Sequence, residues 1–117
     1  MTTVSSCVFC RIVDGDEPAD VLYASDTVMA FRDIAPQAPV HVQVIPKEHV
    51  ASAAEVEERH AGMLADLFHA ARQVARAEGL EDRGWRLVAN IGPEGGQHIY
   101  HLHLHLIGGR QMTWPPG

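Results

Sequence analysis

Residues 101–107 read His101-Leu102-His103-Leu104-His105-Leu106-Ile107, with Gly95-Gly96 before them and Gly108-Gly109 after. Successive side chains of a β-strand point to opposite faces. A strand here buries its leucines against a core and sets three imidazoles along the other face. Its outer imidazoles would stand about 13 Å apart at the usual rise per residue. That is too far for one metal held at about 2 Å per nitrogen. The spacing suits one working histidine flanked by two that orient it, move its protons or touch its ligand, because neutral imidazole attacks and shuttles protons near pH 7. The flanking glycines let the backbone come close to a ligand or adopt positive φ.

Working outward, the chain has no internal repeat and no low-complexity stretch. Val21 to Ala24 and Val28 to Arg32 are apolar runs around Ser25-Asp26, the pattern of a hairpin. Asp33 to Pro39 reads as a loop, since Pro36 and Pro39 disfavour helix and central strand alike. His41 to Ile45 is a strand stopped by Pro46. From Glu57 to Glu78 apolar residues recur at helical spacing (Met63, Leu64, Leu67, Phe68, Ala71, Val74, Ala75), and Gly79 ends the run. Trp85 to Asn90 is a further strand, and Gly92 to Gly96 a loop into the histidine strand. With a short helix near Phe9 to Val13, the expectation is an α+β fold: a five-stranded antiparallel sheet, one long helix and a short N-terminal one.

Length and composition bound the function. A chain of 117 residues is the size of a single domain, here 1–117, able to bury one core. With 46% hydrophobic and 21% charged residues it reads as an ordinary globular protein. A formal charge of −6 argues against nucleic acid as partner, which needs a basic footprint. No apolar run is long enough for a membrane span. The start, Met1 to Ser6, has no basic or apolar signal-peptide region, so the expected location is cytoplasmic. No G-x-x-x-x-G-K-[ST] phosphate loop is present, which argues against an ATPase.

The string from Gly95 to Arg110 contains His-φ-His-φ-His-φ-φ, with φ apolar, and closely resembles the signature of the histidine triad (HIT) family. The ending Arg110-Gln111-Met112-Thr113-Trp114-Pro115-Pro116-Gly117 is similar to the Hint branch, the purine nucleoside phosphoramidases, rather than to the dinucleoside polyphosphate hydrolases. Cys7 to Ile12, Phe31 to Pro39 and His41 to His49 agree, so the resemblance covers nearly the whole chain. It implies a homodimer and a purine nucleotide of the AMP type held at the histidine strand. It also implies hydrolysis at the α-phosphate of nucleoside 5′-phosphoramidates or related adenylates. His103 would attack and carry a nucleotidyl intermediate, which splits one hard displacement into two easier ones. His105 would donate to phosphate oxygens, and His101 would fix the tautomer of His103 or aid a proton relay through His41.

Read by themselves, His41 is a structural histidine heading an apolar strand, Asp33 a turn former, and Phe9, Ile12, Phe31 and Ile34 plain core. The resemblance instead makes Asp33 the acceptor for both ribose hydroxyls and the four apolar residues the walls of the base pocket. It adds Asn90, Gly96 and His98 as nucleotide contacts, and Trp114 as a residue reaching the partner's site. Three positions depart from the animal Hint pattern: His98 replaces a serine or threonine, Gln43 an aliphatic residue and Thr113 a histidine.

Cys7-x-x-Cys10 alone fits two small buried thiols. A thioredoxin-like redox reading needs a nearby βαβ unit, and the sequence shows none. A zinc site needs four ligands, and the resemblance supplies His49 and His101 beside the cysteines. Both the thiol-pair and the zinc readings stand at this point; bound zinc would make His101 a support for His103 rather than a proton donor. Two other functions share these residues: a nucleotidyl transferase with an acceptor other than water, and a zinc- and nucleotide-binding interaction module without turnover.

Overall fold

Ser25 turns the chain between the first two strands. Its Oγ accepts from the N–H groups of Thr27 (3.3 Å) and Val28 (3.2 Å), and its own N–H donates to Val28 O at 2.9 Å. The computed structural model describes residues 4–117; Met1 to Thr3, part of the start read for a signal peptide, lie outside the described residues. The elements in order are α1 (Val8–Asp14), β1 (Val21–Ala24), β2 (Val28–Arg32), β3 (Val40–Pro46), α2 (Ala61–Ala77), β4 (Trp85–Val88) and β5 (Leu104–Gly108). One antiparallel sheet runs in the order β1-β2-β3-β5-β4. The expected α+β architecture of five strands, a long helix and a short N-terminal helix is what the chain forms.

Alternation along the strands sorts side chains to two faces. Val28 and Ala30 of β2, Val42 and Val44 of β3, and Leu104 and Leu106 of β5 pack together with Leu67, Ala70, Ala71, Val74 and Ala75 of α2. The opposite face carries Met29, Phe31 and Ile45, which pack with Phe9 and the partly buried Ile12 and Ile99. Helix α1 therefore covers the face that also bears His41, Gln43 and His105. Cys7 caps α1 by accepting the Cys10 N–H at 3.2 Å, and Gly15 ends it in the left-handed region at φ +82°.

Three expectations need correction. The histidine strand is shorter than read: β5 begins at Leu104, so His101 to His103 lead into it. The register of β3 with β5, carried on from Val44 opposite Leu104, would set Leu102 opposite Pro46, which has no N–H to give. Leu102 N–H goes to Val50 O instead, at 2.6 Å. The buried leucine alternation nevertheless holds through residues 102, 104 and 106. The long helix is α only from Ala61, because Glu58–His60 forms a tighter 3₁₀ turn whose His60 N–H bonds Glu57 O at 2.9 Å. Phe68 leaves the apolar stripe of α2 and is exposed, whereas Leu67 one residue earlier is buried. Among the described residues no helix is long and apolar enough to cross a membrane.

Candidate active site

The imidazoles are held by an ordered chain of donors and acceptors. Gln37 N–H donates to His41 Nδ1 at 3.0 Å, so the hydrogen of a neutral His41 sits on Nε2. That Nε2 lies 2.9 Å from His105 Nδ1 and 3.4 Å from Asp33 Oδ2. His105 thus accepts at Nδ1 and keeps its hydrogen on Nε2. His103 Nδ1 lies 2.7 Å from the carbonyl oxygen of His101; a carbonyl accepts only, so Nδ1 carries the hydrogen and Nε2 carries a free lone pair. Burial pulls His103 below the usual imidazole range and takes His105 down to about 4, helped by the neighbouring His103 and His41. Both rings are therefore neutral near pH 7. Their centroids are 4.9 Å apart, placing a nucleophilic nitrogen next to a hydrogen-bond donor.

The resemblance gave His101 the part of fixing the His103 tautomer or aiding a proton relay, and the geometry gives the first of these to its backbone. The backbone carbonyl of His101 orients His103, while its fully buried ring turns away. There His101 Nε2 donates to Pro46 O at 2.8 Å, leaving Nδ1 free toward Cys7 Sγ (3.4 Å) and Cys10 Sγ (3.5 Å). His49 Nδ1 lies 3.3 Å from Cys10 Sγ. The donor atoms of Cys7, Cys10, His49 and His101 all lie within 4.8 Å of one another. Tetrahedral zinc with ordinary bond lengths needs nitrogen and sulfur ligands roughly 3.5 Å apart. A ligand histidine whose other nitrogen donates to a backbone carbonyl is the usual support of such a site. The donor set fits zinc.

Beside the histidines lies a cleft of about 370 Å³ lined by Phe9, Ile12, Phe31, Asp33, Ile34, Gln43, Ile99 and residues 17–19. Phe9 touches Phe31 edge-on at 5.4 Å and His103 at 5.3 Å, joining the cleft to the triad. Such a mainly apolar hollow with a few placed polar groups suits a small ligand. Asp33 Oδ1 accepts the Ala35 N–H at 2.8 Å and Oδ2 accepts from Gln43 Nε2 at 2.7 Å. Ile34 stands fully exposed at the rim rather than forming a wall.

Other expected contacts are not gathered here. Asn90 lies just past the end of β4, half-buried, and does not line the cleft. Gly96 is exposed at φ +80° in the loop before the triad. His98 lines a separate hollow with Cys7 and His49. Trp114 is 82% exposed, on a tail held by Arg86 Nη2 donating to Thr113 O at 2.9 Å. Sequence reasoning missed Gln37, which acts through its backbone N–H and so leaves no side-chain signal. It also missed Gln97, whose Nε2 donates to Ala51 O (2.9 Å) and Ile99 O (3.0 Å) while its Oε1 accepts the Gly92 N–H (3.1 Å). That buried amide ties the glycine loop to the segment leading into the triad.

Residues 6–114 match the family described as "Scavenger mRNA decapping enzyme C-term binding". A maize (Zea mays) protein named 14 kDa zinc-binding protein is 50% identical over 115 residues, covering 97% of this chain and 89% of its own length. The Arabidopsis thaliana protein named adenylylsulfatase HINT1 is 48% identical over 115 residues, covering 97% of this chain and 78% of its own. A solved HIT family hydrolase from Legionella pneumophila Philadelphia 1 superposes with a TM-score of 0.93 at 50% identity, over 95% of this chain and 99% of that one.

Proposed function

Because the chain belongs to the histidine triad family, on its Hint branch, we propose that it is a nucleotide hydrolase that cleaves purine nucleoside 5′-phosphoramidates or related adenylates at the α-phosphate. The observation that carries the reading is the fixed tautomer of His103, whose Nδ1 is engaged by the His101 carbonyl at 2.7 Å. Its Nε2 is the neutral, unprotonated nitrogen that an in-line attack on phosphorus requires. A bond forms from Nε2 to the α-phosphorus as the bond to the leaving group breaks, giving a nucleotidyl-histidine. Water then attacks the same phosphorus, releasing the nucleoside monophosphate and restoring His103. Phosphoryl transfer of this kind depends on positioning and on donors to the equatorial oxygens. His105 Nε2–H, directed by the His41 bond to its Nδ1, is such a donor.

The remaining residues supply recognition and support. Phe9, Ile12 and Phe31 hold the base, and Asp33 accepts from the ribose hydroxyls. Zinc on Cys7, Cys10, His49 and His101 is a structural brace that ties the start of α1 to the end of β3 and to the triad. The maize relative's zinc-binding name supports this reading. The chain works as a homodimer, with Trp114 reaching the partner's leaving-group side. The test is a panel of nucleoside 5′-phosphoramidates and acyl adenylates incubated with purified protein. Release of the monophosphate, with a transient nucleotidyl adduct trapped on His103 by acid quench and mass spectrometry, is the expected result. Turnover without an adduct, or no turnover on any member, would reject it.

A further inference from the structure

Gln43 carries a polar group that the proposed reaction does not use. It lies in the middle of β3, opposite Phe31 of β2 on one side and opposite His105 of β5 on the other. Residues paired directly across antiparallel strands share a face. Phe31 walls the cleft and His105 is the phosphate donor, so Gln43 stands between the base end and the phosphate end. That is where the sugar of a bound nucleotide must pass.

The hydrogen bonds of Gln43 are half made. Nε2 donates to Asp33 Oδ2 at 2.7 Å, and this bond sets the amide's orientation, since the reverse would press two acceptors together. Oε1 is then left buried without a hydrogen-bond partner among the described residues, on a residue that lines the cleft and is only 8% exposed. Buried side-chain acceptors are nearly always paired. Another such orphan, His60 Nε2, faces the Glu48 carboxylate at 3.7 Å and belongs to neither hollow described above. The unpaired oxygen of Gln43, by contrast, belongs to a residue that lines the cleft. It adjoins Asp33, whose two oxygens already accept one protein donor each and keep lone pairs for more.

Resting on the nucleotide-binding reading, we propose that Gln43 is a second sugar-recognition residue, its Oε1 accepting one hydroxyl of the ribose while Asp33 accepts the other. The ligand then brings the donor that the free protein lacks. An aliphatic side chain at this position would leave Asp33 to hold the diol alone, so the glutamine makes recognition of both hydroxyls stricter.

The test measures binding, not turnover. AMP, 2′-deoxy-AMP and 3′-deoxy-AMP are titrated calorimetrically into wild type, Gln43→Leu and Gln43→Met. Both substitutions remove the unpaired acceptor together with the bond to Asp33 Oδ2, two changes of opposite sign, so melting temperatures should move little, and the second variant guards against a misfolded first. Wild type should lose roughly tenfold in affinity on removal of either hydroxyl. In both variants one of those penalties should fall to about twofold or less while the other stays, because a single acceptor has gone. Unchanged penalties, equal weakening of all three ligands, or loss of both penalties together would overturn the proposal. So would a wild type that binds the three alike or binds none. A protein that shows the expected penalties but hydrolyses nothing would reject the hydrolase reading and leave this one intact. Hydrolysis with both penalties kept in the variants would do the reverse.

Discussion

The two faces of one sheet are built from neighbouring residues of the same strands, and they do opposite things. On the α2 face Val28, Ala30, Val42, Val44, Leu104 and Leu106 are all apolar and buried against α2. On the α1 face the intervening positions include His41, Gln43 and His105 beside Met29, Phe31 and Ile45. Each large aliphatic side chain buried on the first face contributes about 1.5–3 kcal/mol relative to exposure. Burial of polar groups on the second face yields little net stability even when they are hydrogen-bonded. Phe9, Met29, Phe31 and Ile45 still bury apolar surface on the second face, but the larger share lies on the first, which lets the second hold imidazoles and an unpaired amide oxygen. A β-strand can support this division because its side-chain period is two.

The sharpest way to break the comparison is at His103. His103→Gly should lower kcat by roughly 10⁴-fold or more, as removal of a nucleophile does. AMP should still bind, and the melting temperature should change little. Retained turnover would mean that the α1 face does not do its chemistry through this ring.

The matching change on the other face is Leu106→Ala, one residue from His105 and fully buried. It should cost about 2–5 kcal/mol of stability by leaving a cavity. Urea melts give the loss, and kcat per folded molecule should stay near wild type. A parallel fall in kcat would show that the two faces are mechanically coupled.

Zinc tests whether the cysteine group belongs to the stable or the chemical side. Protein purified without chelators should contain about one zinc per chain, and stripping it should lower the melting temperature by roughly 5–10 °C. Cys10→Ser should remove the metal. Metal-free protein whose melting is unchanged by added zinc would leave Cys7 and Cys10 as a buried thiol pair.

The smallest effect is expected from the tail, which belongs to neither face of its own sheet. Light scattering should give a homodimer at micromolar concentration. Deletion of residues 112–117 should shift relative kcat/KM among leaving groups by about tenfold and AMP affinity by no more than about twofold. An unaltered leaving-group profile would confine Trp114 to an incidental exposed aromatic.

Much of this division is legible in the chain. The two-residue periods in Val28 to Arg32 and in His41 to Ile45 mark which side chains share a face, and the Ser25 turn and Gly79 mark where elements end. The three triad histidines and the Cys7-x-x-Cys10 pair could be read from motif spacing, whereas the parts of His41 and His49 came only from the family resemblance. What could not be read is who bonds to whom. His101 has the same place in the motif as His105, yet its ring goes to the cysteines and Pro46, and only its carbonyl serves His103. Phe68 fits the helical stripe as well as Leu67 does, and only the packing of α2 on the sheet shows that it faces outward.

Local spacing, then, determined by itself the α+β order of elements, the two faces of the strands and the row of alternating histidines. These follow from periods of two and of 3.6, which any short window contains. The tertiary structure alone decided the start of β5, the tautomers of the three working imidazoles and the unpaired oxygen of Gln43. Some of these depend on partners distant in sequence, as with Pro46 without an N–H and His41 bonding His105 across 64 residues. Others depend on nearby groups that only the folded backbone aims, as with Gln37 N–H reaching His41, the His101 carbonyl reaching His103 and Asp33 claiming the glutamine amide. A hydrogen-bond partner is chosen by which groups meet in space, and no pattern within a single strand carries that information.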